Sequence, residues 1–169
     1  FRDFFEQPEP YAMEPFRIYG NLYYVGDKKV CMHLLDTEEG LILFDCGYGH
    51  TTDLIEGSIR KLGFDPADLK YIVVTHGHFD HIGGNGYFSH VMMHTADRDL
   101  YHQHRLELRQ IAPNGIAPES AVELDWFDGS MTLDLGGRTL EVFPTPGHTR
   151  GCIAVLDVER RQLFTGDTC

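Results

Sequence analysis

The chain reads as an α/β sandwich, two sheets covered by helices, and three observations predict it. Short strand-like runs crowd the stretch from residue 16 to 44, helical patterns follow, and strand-like runs return from residue 131 onward. Several of these runs end on a histidine or aspartate beside a turn glycine. Strands, then helices, then strands again is the order expected of two packed sheets with helical covers. With 169 residues and 42% hydrophobic content, the chain has enough apolar material for one domain with a real core.

Residues 1–15 are polar and carry Pro8, Pro10 and Pro15, which predicts an extended arm ahead of a domain over 16–169. Strands are expected at Phe16–Tyr19, Leu22–Val25, Val30–Leu35 and Leu41–Phe44, separated by turn signals at Gly20-Asn21, Gly26-Asp27 and Glu39-Gly40. Ile55, Ile59 and Leu62 share one face of a helix over Thr52–Leu62 that Gly63 stops. Asp65-Pro66 caps a short helical turn before a buried strand at Tyr71–Val74. Beyond it come a strand at His90–His94, a charged surface helix at Ala96–Gln110 and a loop at Ala112–Ser120. The last strands are expected at Met131–Leu135, Thr139–Pro144, Cys152–Val158 and Gln162–Thr165.

Fourteen basic and 26 acidic residues give a formal charge of −12, which argues against a nucleic-acid-binding surface. The same balance attracts divalent cations. No apolar run approaches the length of a membrane span. Cys31, Cys46, Cys152 and Cys169 are scattered without a Cys-x-x-Cys pair, so free and mostly buried thiols are expected. The chain opens at Phe1 rather than Met, which leaves a removed signal peptide open and the compartment unread.

The chemistry concentrates in Thr75-His76-Gly77-His78-Phe79-Asp80-His81-Ile82-Gly83-Gly84, directly after the apolar run Tyr71–Val74. Imidazole nitrogens and carboxylate oxygens are what zinc, iron and manganese take from a protein, and no packing reason gathers so many at a strand end. Gly77, Gly83 and Gly84 let the backbone fold tightly enough for these side chains to converge. Three further strand ends repeat the pattern: His148 in Pro144-Thr145-Pro146-Gly147-His148, Asp167 in Leu163-Phe164-Thr165-Gly166-Asp167, and Asp45 after Leu41–Phe44. His33, His50, His90, His94, His102 and His104 lack such a context, and the last two are expected to be solvated. Tyr48 is a candidate to face the pocket, and Phe79 is equally a candidate to wall it or to join the core.

From Phe16 to its last residue the sequence resembles the metallo-β-lactamase superfamily, whose αββα sandwich carries a His-x-His-x-Asp-His motif. The chain would then hold the N-terminal half and the start of the second sheet. The resemblance implies that His76, His78 and His148 hold a first metal, that Asp80 and His81 hold a second, and that Asp167 bridges them. Asp45 matches an aspartate that fixes a ligand imidazole from behind. One or two Zn2+ ions are the implied cofactor, with iron or manganese open. The implied reaction is attack of a metal-held hydroxide on the carbonyl of a small ester, lactone, thioester or lactam, with Asp80 orienting the nucleophile and relaying its proton.

Ile18-Tyr19-Gly20-Asn21-Leu22-Tyr23-Tyr24-Val25-Gly26 and Ile59-Arg60-Lys61-Leu62-Gly63-Phe64 look nearest to the third subclass of class B β-lactamases. That subclass carries serine where this chain has Asp167, whereas glyoxalase II and the quorum-signal lactonases carry aspartate. The family's further downstream histidine has no counterpart before Cys169, which predicts a weak or empty second metal site. It also predicts an open sheet edge near residue 167, met by a homo-oligomeric contact or a partner segment. Three alternatives stand beside the hydrolase: a mono-iron persulfide dioxygenase, which shares these residues; a nuclease, which lacks its basic face here; and a catalytically inactive fragment. A di-iron flavoprotein would carry glutamate at the position of His78.

Overall fold

Eleven strands form two sheets in a computed structural model that describes residues 2–85, 90–111 and 124–168. The first sheet runs β1 (Phe16–Tyr19), β2 (Leu22–Tyr24), β3 (His33–Asp36), β4 (Leu41–Phe44), β5 (Leu69–Val73), β6 (Val91–His94) and β7 (Leu124–Phe127), side by side in sequence order. Its first four strands are antiparallel, joined by short turns; β4 to β7 are parallel, because helical segments carry the chain back between them. The second sheet is antiparallel, with β8 (Met131–Leu135), β9 (Arg138–Pro144), β10 (Ile153–Asp157) and β11 (Gln162–Phe164) in the order β11-β10-β9-β8.

Alternation along the strands divides the apolar residues between two cores. Leu35, Ile42, Phe44, Val73 and Met92 face the second sheet and meet Leu133, Leu140, Val142, Ile153, Val155 and Phe164. Leu34, Leu43, Ile72, Val91 and Met93 point the other way, into a layer with Ile55 and Ile59 of α2 (Thr52–Lys61) and Tyr101 of α4 (Arg98–Ile111). The two sheets lie back to back and helices cover the first, as the sequence predicts. No described helix is long and apolar enough to cross a membrane.

Most elements fall within a residue or two of their expected bounds. Asp65 caps the 3-10 turn Pro66–Asp68 by accepting the Ala67 N–H at 3.0 Å. The charged helix begins at Arg98 because Thr95–Asp97 tighten into a 3-10 turn first. The expected loop at Ala112–Ser120 lies outside the described residues.

Two differences have tertiary causes. The first fifteen residues were expected to be extended, yet Arg2–Glu6 form a short helix, α1, and Glu9–Tyr11 a 3-10 turn. Phe4 is the reason: it is buried, with its ring edge-on to Tyr11, Tyr48 and His50 at 4.7–5.0 Å. The sequence reading also lacks β7, whose four residues take their conformation from pairing with β6. Among the described residues β11 is an outer strand of the second sheet, and its Leu163 is 55% exposed.

Candidate metal centre

Every loop that carries a predicted ligand lies at one end of the two sheets. His76, His78, Asp80 and His81 follow β5, with Asp80 and His81 on the single turn α3 (Phe79–Ile82). His148 follows β9 and Asp167 follows β11, so the two sheets supply opposite sides of the site. The chain end of α3 is zipped to the loop after β4: Gly83 donates to the Gly47 carbonyl at 2.7 Å and Gly84 to that of Cys46 at 3.2 Å. A Cβ at Gly83 would lie 2.2 Å from the Gly49 nitrogen, so only glycine allows this approach.

Five of the six predicted residues fall into two groups that could hold an ion, and Asp80 lies beside them. His76 Nε2 and His148 Nε2 lie 3.0 and 2.9 Å from His78 Nδ1, forming one group of three. His76, His81 and Asp167 form a second group whose ligand atoms lie within 4.8 Å of one another. Asp167 Oδ1 is 3.5 Å from His81 Nε2, and its Oδ2 is 3.7 Å from His148 Nε2. Asp80 Oδ2 lies 3.9 Å from His81 Nε2, at the edge of the second group.

Asp45 lies on the far side of His81 from Asp80 and Asp167, against Nδ1 of its ring. It is buried, with Oδ2 3.0 Å from His81 Nδ1, and Oδ1 accepts the Thr75 N–H at 2.7 Å. Thr75 also donates its hydroxyl to Asp45 Oδ2 at 2.8 Å, and the Thr75 hydroxyl oxygen lies 3.1 Å from His76 Nδ1. Thr75 thus carries the carboxylate's influence to a second ligand, a role its place beside His76 does not reveal in the sequence.

Electrostatics divide the imidazoles. Burial, then the neighbouring His81, hold His76 down to about 4, so it is neutral and its lone pair is free to coordinate. Burial and then His148 also lower His78. Burial lowers His81 as well, but Asp45, then Asp80 and Asp167, outweigh it and raise the ring to about 9. Asp45 is pushed up by burial, while His81 and the Thr75 N–H hold it below the usual carboxylate range. Imidazole nitrogens that converge within 3 Å, beside the carboxylates of Asp80 and Asp167, fit a divalent cation.

Two expectations change, and Phe79 takes the core reading. Tyr48 does not face the site; it is buried against Phe4, Phe5, His50 and Phe79. Phe79 packs with it at the edge of that core. His104, expected in solvent, turns inward and stacks on His78 with centroids 5.3 Å apart. Cys31 is exposed while Cys46 and Cys152 are buried, all as free thiols.

A family model described as the metallo-beta-lactamase superfamily matches residues 26–168. An N-acyl homoserine lactonase of Bacillus cereus is 30% identical over 148 residues, covering 72% of this chain and 55% of its own length. A protein of Mycobacterium tuberculosis described as a probable metallo-hydrolase is 31% identical and covers 79% and 54% respectively. The native FEZ-1 metallo-beta-lactamase from Legionella gormanii superposes with a TM-score of 0.70 at 30% identity, over 86% of this chain and 58% of that one. BJP-1, a subclass B3 metallo-beta-lactamase of Bradyrhizobium japonicum, gives 0.67 at 30% identity, over 89% and 58%. The chain spans about half the length of the curated relatives it matches.

Proposed function

The chain belongs to the metallo-β-lactamase superfamily, and on that premise we propose that it carries the metal centre of a zinc-dependent hydrolase acting on a small ester, lactone, thioester or lactam. His76, His78 and His148 would hold a first cation, Asp80 and His81 a second, and Asp167 would bridge them. The observation that carries this reading is the placement of Asp167. One of its oxygens lies 3.5 Å from His81 and the other 3.7 Å from His148, which supports a bridging role.

When bound, such cations polarise a carbonyl oxygen and lower the pKa of a bound water from about 15.7 to about 7. The chain's own side chains do the rest. Asp80, partly exposed beside His81, would hold the attacking water through one proton. As the new carbon–oxygen bond forms and the bond to the leaving group breaks, Asp80 would pass that proton to the departing oxygen, sulfur or nitrogen. Asp45, through His81 and Thr75, keeps two ligand rings in orientation.

Aspartate at 167, together with relatives that include lactonases, favours an ester or lactone over a β-lactam. The test is turnover, after zinc loading, of an acyl-lactone panel, a lactoyl thioester and a chromogenic cephalosporin. Lactone or thioester cleavage is expected, and His76→Ala and His148→Ala should each abolish it together with first-site metal. Unchanged zinc content in both variants refutes the assignment. Metal analysis of protein grown with both zinc and iron separates the hydrolase from a mono-iron oxygenase.

A further inference from the structure

We propose that Asp97 is a positioning residue that locks the two loops of the three-histidine group to one another; the idea rests on the reading that His76, His78 and His148 hold a cation. Asp97 ends the 3-10 turn before α4 and is 2% exposed. Its Oδ2 accepts the Gly77 N–H at 2.8 Å and the Thr149 hydroxyl at 2.7 Å. Its Oδ1 accepts the Gly151 N–H at 2.7 Å. Gly77 lies between two of the histidines, and Thr149 follows the third. One carboxylate therefore joins a loop from the first sheet to a loop from the second.

The surrounding chain is shaped to let that carboxylate in. A Cβ on Gly151 would lie 2.5 Å from Asp97 Cγ, and one on Gly77 would lie 3.2 Å from Asp97 Cβ. Both positions must stay small for the carboxylate to reach three donors. An amide in its place would aim N–H groups at one of these donors. His148 needs such an anchor most. Its side chain is 37% exposed, and the Thr149 bond to Asp97 ties the adjacent residue to the interior. An untethered loop would have to be ordered by the cation itself, at the expense of affinity.

The test uses the full chain with Asp97→Asn, Thr149→Val and Thr149→Ser. Zinc affinity is read by competition with a chromogenic chelator, and ligand geometry by the visible absorption of the cobalt-loaded protein. Melting of the metal-free proteins is followed alongside. Asp97→Asn is expected to weaken zinc binding about 10–100-fold, as for other partners that orient ligands. Thr149→Val should weaken it less, Thr149→Ser should restore it, and the cobalt spectrum should shift in Asp97→Asn and Thr149→Val only. Wild-type affinity and spectrum in Asp97→Asn and Thr149→Val, whatever their melting, would overturn the proposal. Should Asp97→Asn fail to fold, equal affinities of the valine and serine variants would overturn it alone. Failure of the wild type to take up zinc would instead sink the metal-centre reading, and this inference with it.

Discussion

The backbone of Asp45 sits at φ 60°, where a side chain is strained and aspartate is one of the few residues tolerated. The strain persists because the carboxylate is tied to Thr75 and faces His81. Replacing it by alanine leaves the ligands in place but loosens two of their rings. Asp45→Ala should therefore lower zinc affinity by roughly 10–100-fold without removing binding, measured by chelator competition. Loss of all binding would make Asp45 a ligand instead. The next residue permits a second prediction. Burial pushes the Cys46 thiol well up, and it donates to Asn85 Oδ1 at 2.7 Å and the His81 carbonyl at 3.1 Å. Alkylation of native protein near pH 8 should mark Cys31 and spare Cys46 and Cys152, by peptide mass mapping; rapid labelling of Cys46 would contradict its packing. At this scale the predicted ligands could be read in advance because imidazole and carboxylate are rare at strand ends for any other reason. Thr75, Asp97 and His104 could not be, since what each supports is fixed only once distant segments meet.

Elements with a strong local period were legible. In α2, Ile55 and Ile59 share one buried face, as their spacing predicts, and the β9 alternation places Leu140 and Val142 in the intersheet core. Elements held by a remote partner were not. Nothing in Leu124–Phe127 marks a strand until β6 lies beside it, and nothing near Phe4 marks a core residue until Tyr48 and His50 arrive. The burial of Phe4 makes α1 more than an ornament of the terminus. Phe4→Ala should cost about 3–5 kcal/mol of unfolding free energy, because it removes an aromatic ring from a closed cluster. Urea denaturation of the two proteins measures it. A change below about 0.5 kcal/mol, as for an exposed site, would show that the segment is a loose arm after all.

Across the whole molecule the candidate metal centre and the fold are one arrangement. His76, His78 and His81 belong to the first sheet, His148 and Asp167 to the second, and the apolar layer between the sheets is what aligns them. The sandwich was readable from the order of strands and helices, but the convergence of its loops on one end is a consequence of sheet pairing. A cation bound there would tie the two sheets together, and the net charge of −12 favours its approach. Because the ligands come together only in the folded chain, binding must shift the folding equilibrium. At zinc 1,000 times above its dissociation constant the gain is about 4 kcal/mol, which corresponds to roughly 8–16 °C of melting temperature for a domain of this size. Zinc should raise the melting temperature on that scale and excess chelator should reverse it. His148→Ala should melt close to the metal-free wild type and lose most of the zinc response, because it cuts the second sheet out of the three-histidine group. A full response in that variant would mean that the cation is held without the loop after β9, by the group of His76, His81 and Asp167, which still joins the two sheets.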